Sequence, residues 1–293
     1  MHTLRQTLMK PCPICQTASG LRRLWDSSII RCPDCGLAYV DPQPSFAELE
    51  KIYADAEYFH GQFYTDYIGD KAIAQANFQQ RIDALRGYQP GGRLFEAGCA
   101  YGFFLELAQQ YWTVEGIDLA GDAIRYAQET LKLNVQRGDF ESHPPARESF
   151  EVVALWDTIE HLYDPVLAVR RSAEALRPGG VLALTTGDID GWLPRLRGKN
   201  WRLIIPQHLF YFSRRSITRL LENHGLEVVH YSHVGYSRSL RQIAEALTWR
   251  HPDSRWRALL QRQINRLPFV DRPLFLNLYD IMFVIARKKP VHE

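Results

Sequence analysis

Between Arg93 and Thr186 the spacing of apolar positions changes period again and again. "RLFEAG" (93–98), "TVEGIDL" (113–119), "NVQRGD" (134–139), "FEVVALW" (150–156) and "VLALTT" (181–186) are short, apolar-rich segments of strand length. "FFLELAQQY" (103–111), "GDAIRYAQETL" (121–131) and "PVLAVRRSAEAL" (165–176) carry apolar residues at helical spacing, and "RPGG" (177–180) reads as a turn before the fifth strand. Strictly alternating strands and helices predict an α/β fold: a doubly wound, Rossmann-like parallel sheet with helices on both faces. Ligands on such sheets bind at the carboxyl ends of the strands, so the residues just after each strand are the ones to inspect.

On either side of this stretch the pattern is looser. Residues 45–88 read as a mostly helical linker or lid, unusually aromatic at Tyr53, Tyr58, Phe59, Phe63, Tyr64, Tyr67 and Phe78. After the fifth strand comes a long loop, "GWLPRLRGKNWRLIIPQHLFYFS" (191–213), then a helix "RSITRLLENHG" (215–225) that stops at Gly225, and a strand "LEVVHYS" (226–232). A basic helical insertion is expected at about 237–275 before a last strand, "DIMFVIARK" (280–288). The main domain thus covers 89–293. The Pro-rich "DPQPS" (41–45) closes a separate N-terminal module, residues 1–44.

That module owes its structure to cysteines. Cys12 and Cys15 in "CPIC" and Cys32 and Cys35 in "CPDCG" form two C-x2-C pairs with sixteen residues between them. Two intervening residues let one tight turn aim both thiolates at one tetrahedral ion, and this spacing predicts a zinc ribbon. Four thiolates close the coordination sphere, so the zinc is structural. Gly36 follows the second knuckle, whereas Gln16 stands at the matching place in the first. With 46% hydrophobic residues, 23% charged residues and a net charge of +2 over 293 residues, the composition is globular and argues against a generic nucleic-acid binder. No apolar run approaches the ~18 residues of a membrane span, and the first residues lack the apolar core of a signal peptide, so a cytoplasmic protein with reduced thiols is expected.

The first strand runs into "EAGCAYG" (96–102), where Gly98, Ala100 and Gly102 let backbone approach a ligand closely and open a helix with free N–H groups. Asp118 ends the second strand, where a carboxylate accepts from ribose hydroxyls. A nucleoside-containing ligand is expected. The dinucleotide pattern G-x-G-x-x-G is not met, because the third small residue falls after two steps, which suits a ligand without phosphates. Cys99, inside this turn, reads as a small apolar filler.

"EAGCAYGFFLELA", "GIDLA", "GDFES", "VVALWDTIEHLYDP" and "LRPGGVLALTT" resemble, in order and spacing, the successive motifs of class I S-adenosylmethionine-dependent methyltransferases. The bacterial branch that includes quinone-biosynthesis and sugar methyltransferases is most similar, and "IPQHLFYFSRRSITRLLENHGLEV" resembles a segment of that branch. The resemblance covers residues 89–235. It implies seven strands with the last pair reversed, and S-adenosylmethionine as cofactor. Glu96, Gly98, Ala100 and Gly102 would surround its methionine part, Asp118 its ribose and Leu119 its adenine. Asp139, backed by Phe140, would receive the adenine amino group, although an aspartate there also serves to cap a loop. Trp156 and Asp157 would lie beside the sulfonium. The family usually has Gly at Ala100 and Asp at Glu96.

Methyl transfer is largely alignment of an acceptor atom behind the methyl carbon, with a base where the acceptor is a hydroxyl. Asp157, His161 and His208 are the candidate catalytic residues, against the commoner structural use of a single histidine: His161 to orient its loop, His208 to cap or pack its own. Positive charge at Arg195, Arg197, Lys199 and Arg202, and seven arginines within 237–270, suit an anionic small-molecule acceptor or peripheral contact with an anionic surface. A sugar-nucleotide, polysaccharide, or quinone or lipid precursor fits. An RNA acceptor touched by the ribbon ranks second, and a non-catalytic cofactor-binding partner protein is the reading from a different class.

Overall fold

The computed structural model describes residues 9–25, 27–45, 47–48, 67–248, 259, 262–264, 266–267 and 270–290. The aromatic segment 53–64 of the expected lid lies outside the described residues.

Three short strands, β1 (Arg22–Arg23), β2 (Ile29–Arg31) and β3 (Ala38–Val40), form the antiparallel ribbon. Helix α1 (Lys71–Arg86) follows, and then the alternation that the apolar pattern predicts. It runs β4 (Arg93–Ala97), α2 (Phe103–Ala108), β5 (Thr113–Asp118), α3 (Gly121–Glu129), β6 (Val135–Arg137), β7 (Phe150–Trp156), α4 (Pro165–Ala175) and β8 (Leu176–Gly187). Beyond lie α5 (Trp192–Arg197), β9 (Phe210–Tyr211), α6 (Arg214–Glu222), β10 (Leu226–His233), β11 (Tyr236–Ser239), α7 (Leu240–Thr248), β12 (Pro273–Leu276) and β13 (Ile281–Lys288).

Seven strands form the main sheet in the order β10-β13-β8-β7-β4-β5-β6, with β13 antiparallel to both neighbours and β8, β7, β4, β5 and β6 parallel. The chain steps from β4 outward to β5 on one side and later to β7 on the other, so the topological switch lies between β4 and β7. Both faces of the sheet are covered, which explains the nearly continuous apolar runs of its strands. Phe95, Val153, Leu155, Leu182 and Leu184 face α4 and α6; Leu94, Val152, Ala154, Trp156 and Ala183 face α1, α2 and α3. Helix starts obey local chemistry. The Asp164 side chain accepts from Leu167 N ahead of Pro165 at the first turn of α4, and Ser213 and Ser216 make a reciprocal capping box on α6.

Three expectations are modified. The "RPGG" turn survives as an outward bulge within β8: Phe150 pairs with Leu176, but Val152 already pairs with Val181. The helix expected from residue 237 begins only at Leu240, because Tyr236–Ser239 pairs antiparallel with Pro273–Leu276. The ribbon is also not self-contained, since β9 joins it as a fourth strand through β3. Ile14, Ile30 and Leu37 share one apolar core with Ile217 and Leu220 of α6, and Arg31 meets Asp190 at 2.6 Å. Among the described residues no helix is long and apolar enough to cross a membrane.

Candidate active site

The turn after β4 is made by backbone geometry. Gly98, Ala100 and Gly102 have φ of 75°, 44° and 76°, so three of five residues are left-handed. A Cβ at Gly98 would lie 2.5 Å from Thr158 Oγ1, so a side chain there would push β4's turn away from β7's. Ala100, with a side chain where glycine would be unstrained, holds its left-handed conformation at a cost of about 1 kcal/mol. Cys99 is buried, with its sulfur 3.0 Å from where a Cβ at Gly116 would stand, so it fills space.

Asp118 ties this turn to the next one. Its Oδ2 accepts from Ala100 N and its Oδ1 from Ala120 N, each at 2.8 Å. A carboxylate offers about four lone-pair positions, so roughly two remain for donors of a ligand. Burial raises its pKa, and the backbone N–H groups oppose that rise. Glu96, only 2% exposed, keeps Oε2 without a protein partner, and burial followed by the neighbouring Asp118 charge holds its carboxyl well above the usual range. An unpartnered buried carboxylate oxygen is costly unless something arrives to pair with it.

Further along the edge, Asp139 accepts from Glu141 N (3.1 Å) and Ser142 N (3.0 Å), which makes it a loop cap in this structure. Phe140 is buried against Phe95, at 5.9 Å between ring centroids. Leu119 is half-buried, and its carbonyl accepts from Arg137.

At the end of β7 the sequence-predicted residues come together with three that escaped notice. Trp156 packs edge-on against Phe104 (5.2 Å), and its Nε1 is buried without a partner. Asp157 is left-handed (φ 49°) and donates its N–H to Thr185. Its Oδ2 accepts from the Tyr236 hydroxyl at 2.6 Å, and its Oδ1 is buried and unpartnered. Arg81, from α1 and only 4% exposed, donates to the same Tyr236 oxygen at 2.6 Å and lies 3.8 Å from Asp157 Oδ2. Its guanidinium is also stacked among Phe78, Trp156 and Tyr236, 5.0–5.3 Å from each ring centre. Thr158 Oγ1 lies between the two turns, within reach of the carbonyls of Ala97 (3.3 Å) and Trp156 (3.0 Å).

Glu160 is the third such residue. It is 3% exposed with Oε2 unpartnered, and burial with the Asp157 charge raises its carboxyl. His161 and His208 meet edge-on at 4.5 Å between ring centroids. Burial lowers His161 to about 4 and His208 well below its ordinary value, so both imidazoles are neutral. Glu160 stands in the quoted stretch "DTIEHLYDP" and was legible as a neighbour of His161. Arg81 and Tyr236 carried no signal, because each reaches Asp157 only through the fold.

The cysteines form their own cluster. Cys12 Sγ lies 3.4 Å from Cys35 Sγ and Cys15 Sγ 3.5 Å from Cys32 Sγ, and all four sulfurs fall within 4.8 Å of one another. Thiolates about 2.3 Å from one tetrahedral ion stand about 3.8 Å apart, so the set fits zinc and none of the cysteines is disulfide-bonded. The two knuckles are equivalent: Gln16 N donates to Cys12 O (2.8 Å) and Gly36 N to Cys32 O (3.1 Å), with φ of 61° and 80°. Arg202 is engaged by Asp280 through both carboxylate oxygens, whereas Arg195, Arg197 and Lys199 are exposed.

Comparison with known proteins gives this geometry a context. The sequence profile of a family described as a methyltransferase domain matches residues 71–231. A ubiquinone biosynthesis O-methyltransferase of Paracidovorax citrulli is 29% identical over 169 residues, 50% of this chain and 71% of that protein. One of the same name from Xanthomonas campestris is 33% identical over 117 residues, covering 36% of this chain and about half, 48%, of its own length. A solved S-adenosylmethionine-dependent methyltransferase of Thermotoga maritima superposes with a TM-score of 0.52 over 82% of this chain and 98% of its own, at 19% identity, a likeness of fold.

Proposed function

The chain belongs to this methyltransferase-domain family and is an S-adenosylmethionine-dependent methyltransferase, and on that premise we propose that it methylates an oxygen of a small, anionic acceptor. The observation that carries the reading is the pairing of two open edges at the switch point. On the β4 side lie the unpartnered Glu96 Oε2 and the half-used Asp118, and on the β7 side the unpartnered Asp157 Oδ1.

The residues fit the cofactor. Gly98 and Gly102 keep the cradle free of Cβ atoms, Glu96 Oε2 would accept from the methionine ammonium, and Arg81 would face its carboxylate. Asp118 would hold the ribose and Leu119 the adenine, with Phe140 supporting that wall from the core and Asp139 at its edge. Trp156 would flank the sulfur. S-adenosylmethionine, when bound, supplies a methyl carbon activated by the adjoining sulfonium. Asp157 would take the proton of the acceptor hydroxyl at Oδ1 while Tyr236 and Arg81 hold Oδ2 still. His161 and His208 would line the acceptor side. Exposed Arg195, Arg197 and Lys199 support an anionic acceptor, and the relatives named as O-methyltransferases support oxygen.

Calorimetric titration with S-adenosylhomocysteine, with NAD as control, tests the cofactor. Binding of the first alone is expected, and binding of NAD alone overturns the reading. Turnover on hydroxylated acceptors with and without an anionic group tests the rest. Asp157→Asn is expected to keep S-adenosylhomocysteine affinity within about threefold while losing on the order of 100-fold or more in turnover.

A further inference from the structure

We propose that Glu160, His161 and His208 form a second metal centre, separate from the four cysteines, that takes a divalent transition-metal cation and leaves positions open for an oxygen ligand. Each residue offers one ligand atom, and these atoms all lie within 4.8 Å of one another. Donors about 2.1 Å from a common ion stand roughly 3.0–4.2 Å apart, depending on the angle between them. Small side-chain rotations therefore close the set. One carboxylate and two imidazoles make a borderline donor set suited to zinc, manganese, cobalt or iron, and three protein ligands are the mark of a site with room for a further one.

One observation beyond proximity points to a cation. Glu160 is 97% removed from solvent, yet its Oε2 has no hydrogen-bond partner, and a carboxylate oxygen of this residue lies within 4.8 Å of a ring nitrogen of each histidine. A structural role would be expected to satisfy that oxygen. The loops that carry the ligands are also fixed to each other. Glu160 O accepts from Leu209 N (2.9 Å) and Phe210 N (3.3 Å), immediately after His208, whose own N–H donates to Ile205 O (3.1 Å). This preorganisation holds the ligand from β7's turn against the ligand from the long loop without help from an ion.

The place of the cluster gives it a use. Glu160 follows Asp157 by three residues on the turn that leaves β7, and Asp157 Oδ1 has no hydrogen-bond partner. An ion held there binds an acceptor oxygen and favours its deprotonated form, while Asp157 stays free as the base. The role rests on the methyl-transfer reading, but the site does not.

The test uses the full-length protein with zinc retained at the cysteines. Metal content after dialysis is expected to show one tightly held zinc, and titration with Mn2+, followed by loss of the free-ion electron paramagnetic resonance signal, a second equivalent. Glu160→Gln and His208→Gln are each expected to weaken the second equivalent by about tenfold to a hundredfold. The first zinc, the far-ultraviolet circular dichroism and the affinity for S-adenosylhomocysteine are expected to persist, and that affinity reports separately on the methyltransferase reading. Should a variant misfold, Co2+ added to the zinc-loaded wild type decides. A d–d spectrum without thiolate charge transfer supports the site. Failure of the zinc-loaded wild type to bind a second equivalent of Mn2+, Mn2+ affinity unchanged in both folded variants, or a cobalt spectrum showing thiolate ligation alone overturns it.

Discussion

The two sides of the topological switch are built differently. On the β4–β5 side, Asp118 is held by N–H groups of its own turn and of the adjacent one, within 18 residues of sequence. On the β7 side, Asp157 is held by Arg81 and Tyr236, 76 and 79 residues away. One half of the site follows from turn chemistry and the other exists only once α1 and β11 have docked. The difference teaches which half a substitution can damage from a distance, and it makes the second half the more sensitive to tertiary packing.

Arg81→Met is the largest test of that contrast. Methionine keeps most of the packing among Phe78, Trp156 and Tyr236, so the loss isolates the charge. Removing one partner of a buried ion pair costs about 3–5 kcal/mol, and Asp157, with 41% of its side chain exposed, places this case nearer 2 kcal/mol. Chemical denaturation measures it. Affinity for S-adenosylhomocysteine is expected to fall by about 100-fold, since Glu96 and Asp157 are left without their cation. A loss below about threefold would show that the β7 side assembles without α1.

Gly98→Ala strikes the seam between the halves. The new Cβ meets Thr158 Oγ1 at 2.5 Å and must also sit at φ 75°, so a destabilisation of about 2 kcal/mol is expected from strain and displacement together. Thr158→Ala in the same chain is expected to return about half of that, leaving the backbone term. No rescue would mean that the left-handed turn alone matters and that the two halves are not in contact there.

How much of this was legible follows the same division. The order of strands and helices, the left-handed turn at Gly98 and Gly102, Asp118 and the four cysteines all express contacts made within one or two elements, and periodicity or spacing reports these directly. Ala100 and Gln16 were visible as departures from the expected glycines, and both adopt the glycine-like conformation all the same. Arg81 was not legible, because "FQQRIDALR" reads as an ordinary helix with a solvated arginine. The strand at Tyr236–Ser239 was hidden for a related reason: its partner, Pro273–Leu276, lies some 37 residues on, and four residues give too little pattern to outweigh the basic helix that follows. Asp139 illustrates the reverse, since a family role was expected where the chain also has a local use for both oxygens.

Glu96→Gln separates stability from function on the legible side. The folded carboxyl has its pKa raised above the unfolded value, so the native state binds more protons and ionisation opposes folding. The wild type therefore loses stability, relative to the glutamine variant, as pH rises through the ordinary carboxylate range and above. Near neutral pH the variant without ligand is expected to be more stable by about 1 kcal/mol, a rise of a few degrees in thermal midpoint. S-adenosylhomocysteine affinity is expected to fall by about tenfold, because the amide is a weaker acceptor for an ammonium. A variant less stable than the wild type at pH 7 would show that Glu96 is paired in the cofactor-free protein.

Tyr236→Phe is the smallest perturbation and the most discriminating. It deletes one hydroxyl that donates to Asp157 Oδ2 and accepts from Arg81 Nη2, each at 2.6 Å, and it leaves the ring beneath the guanidinium. Arg81 stands 3.8 Å from the same carboxylate oxygen, near enough to take up part of the vacated interaction. The expected loss is therefore only about 0.5–1 kcal/mol. Combined with Asp157→Asn, the pair is expected to couple by about 0.5–1 kcal/mol in a double-mutant cycle. Additive losses would mean that the tyrosine only packs and that arginine alone fixes the carboxylate. A single-variant loss as large as that of Arg81→Met would mean the reverse: the hydroxyl is the hinge on which α1, β7 and β11 meet, and the half of the site that sequence cannot show would depend on a single oxygen atom.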